Sequence, residues 1–279
     1  MGAGMKKKPL HPSTQAAAVI TGAGSGIGRS FAYEVARRGG SVLCVDINEE
    51  RAEQVAISLR ALGTHAVALG CDVGDEKQMA YLAENAEPLL GRPVTLVINN
   101  AGVGLGGPIG EVSLEDWHWC MNVNLWGVIH GCHYFAPQLR DLGYGGIINV
   151  ASAAAFGSAP EMAAYNVTKA GVLALSETLS SELTGTGVKI TALCPTVVPT
   201  NIVENGRLPE RRRDFARSAM TRYALTNADQ VARQTLSALD RGELYMLPQI
   251  DGRLAWRLKR LTPRLYARAI GEAYRMLAD

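Results

Sequence analysis

The sequence predicts an α/β fold. A single doubly wound parallel sheet of about seven strands is flanked by helices on both faces and followed by a C-terminal helical extension. Three observations lead there. Short apolar runs of four to six residues alternate with longer stretches whose apolar residues recur at helical spacing. The runs lack polar alternation, as strands buried on both faces should. No Pro- or Ser-rich linker interrupts the pattern, so residues 16–249 read as one body.

Taken in order, the strand candidates are Ala17–Thr21, Val42–Asp46, Ala66–Leu69, Thr95–Asn99, Ile147–Ala151, Lys189–Cys194 and Leu244–Leu247. The helical stretches between them are Gly26–Arg38, Glu49–Leu62, Asp75–Leu90, Leu114–Leu139, Glu161–Leu183 and Ala228–Leu239. Each strand–helix–strand unit closes as a right-handed crossover and sets its two strands parallel. Beyond Leu247, leucines at 254, 258, 261 and 265 keep a helical period. Pro263 divides this extension, residues 250–279, into two helices. Residues 1–15, with three lysines and two prolines, read as a loose tail.

Composition excludes several classes. The 279 residues are 47% hydrophobic and 19% charged, with a net charge of +2. Disordered chains are poorer in apolar residues, and nucleic-acid binders carry a stronger basic field. Five scattered cysteines without a CxxC pair argue against a disulfide scaffold or a metal site and fit the cytoplasm. Glycine is high, 30 residues or about 11% against an ordinary ~7%, without a repeat. Backbone in this protein needs to come close to something.

In a doubly wound sheet, ligands sit beyond the carboxyl ends of the strands. The first strand is followed by Thr21-Gly22-Ala23-Gly24-Ser25-Gly26-Ile27-Gly28, which opens directly into a helix. Glycines at 22, 26 and 28 let a pyrophosphate approach the positive helix end. After the second strand comes Asp46, 18 residues beyond Gly28, placed to accept the ribose hydroxyls of NAD and to repel the extra phosphate of NADP. Asp46 or Asn48 can also cap the next helix. Asp72 and Val73 follow the third strand; Asp72 faces an adenine amino group or caps a helix. Asn99-Asn100-Ala101-Gly102 follows the fourth. Ser152 follows the fifth; Tyr165 lies thirteen residues further, with Lys169 at i+4 on the same helical face. A cation there stabilises a phenolate.

Together, TGAGSGIG at 21–28, Asp46, CDV at 71–73, NNAG at 99–102, NVNLWG at 122–127, NVAS at 149–152, YNVTK at 165–169 and CPTVVPT at 194–200 resemble the short-chain dehydrogenase/reductase family. The resemblance runs from about Ala16 to Thr200 and more loosely to Leu247. It implies a Rossmann-type oxidoreductase in which Tyr165 is the general acid/base. Lys169 lowers the Tyr165 pKa and holds the nicotinamide ribose, Ser152 holds the reacting oxygen, and Asn124 holds a water in the proton relay. It implies cofactor contacts at Gly22, Ser25, Gly26, Ile27, Gly28, Asp46, Asp72, Val73, Asn100, Ala101, Gly102, Pro195, Val198 and Thr200. It also implies a homodimer or homotetramer. One departure is Thr196, where the family usually has glycine; a β-branched residue resists positive φ and crowds the nicotinamide pocket.

The apolar segment Ala153–Met162 suggests a hydrophobic secondary alcohol or ketone, met by Ala154, Phe156 and Thr196. Residues 200–223 hold six arginines and read as a solvated substrate lid. In 250–279 the leucine stripe is expected to pack on the body or on a sister subunit, with attachment to a membrane surface as the alternative. Two other readings of function stand beside the NAD-dependent dehydrogenase. One is an NADPH-dependent 3-ketoacyl-type reductase, which Asp46 disfavours. The other is a non-catalytic, membrane-surface, dinucleotide-binding regulator, against which the set Asn124, Ser152, Tyr165 and Lys169 weighs.

Overall fold

The computed structural model describes residues 11–210, 213, 214, 217 and 224–278, with side chains described to residue 276. Seven strands form one sheet: β1 (Ala17–Thr21), β2 (Ser41–Asp46), β3 (Ala66–Gly70), β4 (Leu96–Asn99), β5 (Gly145–Val150), β6 (Val188–Leu193) and β7 (Tyr245–Met246). All pairs are parallel, in the order β3-β2-β1-β4-β5-β6-β7. The order reverses between β1 and β4, where neighbouring crossovers leave toward opposite faces and a crevice opens at the strand ends.

The strands are apolar throughout because both faces are covered. On one face α1 (Gly26–Arg37), α2 (Glu49–Ala61) and a late helix, α8 (Ala228–Arg241), bury Phe31, Leu59 and Leu236 against Ile20 and Ile98. On the other, α3 (Glu76–Leu90), α5 (Gly127–Leu142) and α7 (Ala163–Glu182) bury Met79, Phe135 and Val172 against Val19 and Ile147. Between α3 and α5 runs α4 (Leu114–Met121), joined to α5 by a π-helical turn, Asn122–Trp126. The single long helix expected over 114–139 is thus interrupted. A short α6 (Ala154–Gly157) precedes α7.

Two expectations change here. The tail was expected to be loose to residue 15, but Ser13 is fully buried. Its N–H and hydroxyl donate to the Asp240 carboxylate at 3.1 and 2.7 Å, and Arg38 donates to its oxygen at 2.6 Å. Residues 1–10 lie outside the described residues. The extension does form two helices, α9 (Ile250–Leu261) and α10 (Pro263–Ala278), broken at Pro263. Its leucine stripe, however, faces outward, with Leu254, Leu258, Leu261 and Leu265 all exposed. Gly252, Ala255 and Trp256 make the packed side instead. No helix among the described residues is long and apolar enough to cross a membrane.

Candidate active site

The glycine loop joins β1 to α1. Gly22 sits at φ +63, a conformation that side chains resist. Several of these glycines make room for the protein itself. A Cβ on Gly28 would overlap the Gly22 carbonyl oxygen, and one on Gly24 would stand 2.9 Å from Asp46 Oδ2. Ser25 occupies the N-cap of α1, yet its side chain caps nothing and no acidic residue occupies the first turn. The N–H groups of Gly26, Ile27 and Gly28 therefore keep their donor capacity for an anion.

Asp46 ends β2 half-buried. Its Oδ2 accepts from Gly24 N at 3.0 Å and its Oδ1 from Asn48 N at 3.0 Å, while Asn48, not Asp46, caps α2. The Asp72 carboxylate accepts from Gly74 N at 2.9 Å, and Asp75 is the cap of α3. Both capping alternatives fall, leaving the two carboxylates at the strand ends. Val73 turns its side chain into the core, and its carbonyl bonds His130 Nδ1 at 2.9 Å, so any contact it makes with a ligand must come from its backbone.

The Asn100 side chain donates to Thr21 O at 2.8 Å and Gly22 O at 3.2 Å, stapling the end of β4 to the glycine loop. Thr21, to which no role fell from sequence, receives the N–H groups of Asn100 and Ala101 at 3.0 and 3.1 Å. Gly102 faces outward. A Cβ there would lie 3.2 Å from Asn124 Oδ1 and 3.5 Å from Lys169 Nζ, so the glycine keeps a side chain off both groups.

Asn124 lies in the π turn and is fully buried. It accepts from Val103 N at 2.7 Å and donates to Val103 O at 2.9 Å, which fixes the amide orientation. A wound-out turn of this kind shifts side-chain phase and often marks functional positions. Tyr165 and Lys169 share one face of α7, both buried. Lys169 Nζ donates to Val150 O at 2.8 Å and lies 5.7 Å from the centre of the Tyr165 ring. The Ser152 hydroxyl donates to Pro195 O at 3.5 Å and receives Ala154 N at 3.1 Å, and its side chain favours the Tyr165 phenolate against burial.

The electrostatics differ from the expectation for Lys169. Burial pushes the Tyr165 phenol up to about 12; the Ser152 hydrogen bond opposes this and Cys120 adds to it. Burial likewise brings Lys169 down to about 8. The net direction for Tyr165 is therefore upward, dominated by burial, where a lowering by Lys169 was expected.

After β6, Pro195 O accepts Ala153 N at 2.8 Å, joining the β6 end to the segment carrying Ser152. Thr196 takes no positive φ, which removes the backbone conflict. Its N–H donates to Gln249 Oε1 at 3.0 Å and its hydroxyl to Asp251 Oδ1 at 3.2 Å. Thr196 thus binds the start of α9 rather than lining an open wall. Val198 packs into the core, and Thr200 Cγ2 covers Gly26. Phe156, expected against substrate, is 7% exposed and also belongs to the core; Ala154 is half-buried beside Ser152. The loop beyond carries two strained residues, Ser158 at φ +52 and Glu161 at φ +59. Both are held by the extension, Ser158 by Lys259 Nζ at 3.1 Å and Glu161 by the Tyr274 hydroxyl at 2.7 Å.

The expected lid is only partly visible, since Arg211, Arg212 and Arg222 lie outside the described residues. Arg207 is exposed but partnered. It pairs with Asp116 at 2.5 Å and stacks on Trp119 at 4.2 Å. A cleft of about 370 Å³ opens between this arginine, Leu105 and Leu208; it reaches neither Ser152 nor Tyr165.

The residues present suit a dinucleotide. An uncapped helix start, two half-buried carboxylates at adjacent strand ends and the exposed Gly102 follow one another at the strand ends. Among the described residues no cluster of three metal-ligating side chains occurs, and all five cysteines are buried and free.

Comparison with known proteins supports the same reading. Residues 16–211 match the model of the short chain dehydrogenase family. The chain is 33% identical over 251 residues to 1-deoxy-11-beta-hydroxypentalenate dehydrogenase of Streptomyces exfoliatus, covering 89% of this chain and 88% of that one. It is 38% identical over 185 residues to "Probable oxidoreductase EphD" of Mycobacterium tuberculosis, matching 66% of this chain but spanning only 31% of that protein's length. A crystal structure of a short chain dehydrogenase/reductase from Burkholderia phymatum in complex with NAD superposes with a TM-score of 0.83 at 34% identity, over 91% of this chain and 96% of that one. The chain is an oxidoreductase and belongs to the short-chain dehydrogenase/reductase family.

Proposed function

We propose that the protein interconverts a hydrophobic secondary alcohol and its ketone with NAD, using Tyr165 as general acid/base. The observation carrying this reading is the grouping of Ser152, Tyr165 and Lys169, the last two buried on one face of α7. The half-buried Ser152 acts on the Tyr165 phenol, and Lys169 lies beside the same ring, tied to the Val150 carbonyl. NAD, when bound, supplies the hydride acceptor, and its reduced form the donor.

The protein's own residues hold and move the proton. In the reducing direction, Tyr165 gives its proton to the carbonyl oxygen, and a phenol raised to about 12 is protonated across the neutral range. Ser152 donates to that oxygen and sets its distance from Tyr165. Lys169, protonated below about 8, supplies positive charge under the phenolate that forms. Asn124, locked by Val103 and, like Lys169, lying beside Gly102, is the residue assigned to hold the water that returns the proton.

Gly26, Ile27 and Gly28 would hold the pyrophosphate, and Asp46 the adenosine ribose. Both carboxylate oxygens of Asp46 accept backbone N–H groups, which hold the carboxylate at the strand end where a 2′-phosphate would lie. This supports NAD over NADP, as does the NAD in the Burkholderia structure. A hydroxyl-bearing apolar substrate is supported by Ala153–Met162 and by the relative whose name specifies a hydroxypentalenate. In this reading residues 16–249 carry the reaction, 200–223 close over substrate, and the free cysteines suit the cytoplasm. The test is turnover of NAD and of NADP with a panel of secondary alcohols. Preference for NAD with apolar cyclic alcohols supports the proposal; preference for NADP, or no turnover of any alcohol or ketone, contradicts it.

A further inference from the structure

We infer that the C-terminal helix pair is a docking surface for an anionic lipid bilayer. On α9 the residues Ile250, Leu254, Leu258 and Leu261 are 68, 53, 49 and 79% exposed. At about 100° per residue they fall within about 80° of arc, a single outward strip. The opposite side of α9 carries Gly252, Ala255 and Trp256, which hold the helix on the body. On α10, Leu265 and Met276 are 67 and 72% exposed on one face, while Tyr266 and Tyr274 reach back to Gly157 and Glu161. Both helices are therefore seated by one side; α9 presents an apolar strip on the other, and α10 presents Leu265 and Met276 with Glu272, paired to Arg275, between them.

Charge identifies the occupant. Residues 250–279 hold seven basic side chains against three acidic, whereas residues 1–200 hold 13 basic against 17 acidic. Arg253 is spent on the Leu247 and Pro248 carbonyls, and Arg260 stacks on Trp256 at 4.1 Å. Arg257, Arg264 and Arg268 are exposed and make no ion pair among the described residues. An apolar strip bordered by free arginines complements a surface that is both apolar and anionic. A second copy of the same face fits poorly, because a two-fold contact would set arginine row against arginine row. The acidic body would be repelled by the same surface, which orients the extension toward it. Neither helix can cross, so contact stays at the headgroup level. None of this depends on the reaction proposed above.

Flotation of the full chain with vesicles of phosphatidylcholine, or of phosphatidylcholine with about one third phosphatidylglycerol, tests the inference. The expected result is binding to anionic vesicles that falls about tenfold on neutral ones and falls with added salt. Leu254→Ser with Leu258→Ser, and separately Arg257→Gln with Arg264→Gln and Arg268→Gln, should each lower binding about tenfold without changing the melting transition or the oligomeric size. If the leucine variant loses its melting transition, the arginine variant decides alone. Three results overturn the inference: wild type that stays unbound at low salt, a folded leucine variant that floats like wild type, or a leucine variant that dissociates a larger assembly and so shows a face covered by a second copy.

Discussion

Thr196 sends its hydroxyl to a carboxylate oxygen of Asp251, 3.2 Å away across 55 residues of chain. Its N–H meets Gln249, and its methyl sits 3.0 Å from where a Cβ on Gly252 would be. The position where the family's usual glycine would stand beside the nicotinamide thus clamps the extension to the β6 end. Thr196→Gly removes the hydroxyl bond and the methyl contact and adds chain freedom, at a cost of about 1–2 kcal/mol. Urea unfolding should show that loss, and amide exchange in α9 should accelerate more than in α1.

Lys169 carries a stability signature that separates it from an ordinary surface lysine. Its folded pKa, about 8, lies below its ordinary 10.5, so its contribution is complete above 10.5 and is lost as pH falls through 8. Between pH 7 and pH 10 wild type should gain about 2–3 kcal/mol relative to Lys169→Met, which has nothing to titrate there. Tyr165, raised from 10 to about 12, is present in both proteins and acts only above pH 10. Parallel urea titrations at pH 7, 8, 9 and 10 measure the difference, and a pH-independent gap would refute it.

Gly28 and Gly22 approach so closely that a methyl group on Gly28 would overlap the Gly22 carbonyl oxygen and stand 2.5 Å from the Asn100 amide. Gly28→Ala should destabilise by about 3 kcal/mol or more, overpacking at a site bounded by backbone rather than by flexible side chains. Thermal melting of the variant checks it directly; a loss below about 1 kcal/mol would mean that the loop yields.

Much of this was legible in sequence. The strands announce themselves because residues such as Val42–Val45 and Leu96–Ile98 are buried on both faces and tolerate no polar alternation. Tyr165 and Lys169 share one face of α7, as i+4 spacing implies, and Ser152 follows β5, because such spacings and strand ends are local signals. The π turn at Asn122–Trp126 was not legible. One extra residue in a helical turn changes no composition, and only the Val103 backbone shows what it achieves. Nor was the partnership of Thr196 with Gln249 and Asp251, because side-chain pairing across 50 residues has no period. Helical spacing marks the leucine face of α9 but not its direction, and that face turns away from the body of the same chain.

Asp46 accepts from Gly24 and Asn48 with separate oxygens, so it shapes the glycine loop as well as meeting a ribose. Asp46→Ala should raise the Michaelis constant for NAD about tenfold and narrow the preference over NADP by more, since repulsion of the 2′-phosphate disappears. Steady-state kinetics with both cofactors reads the two changes. An unchanged NAD/NADP ratio would remove Asp46 from cofactor choice.

The central claim is that the Tyr165 hydroxyl moves the proton while other residues hold the nucleotide. Tyr165→Phe should keep NAD binding within about threefold by titration calorimetry, since the phenol contributes no cofactor-specific charge below pH 10. Single-turnover hydride transfer with the best alcohol from the panel should fall about 10³-fold, within the range for loss of a general acid/base. Transfer at wild-type rate in a variant that still binds NAD would contradict the account.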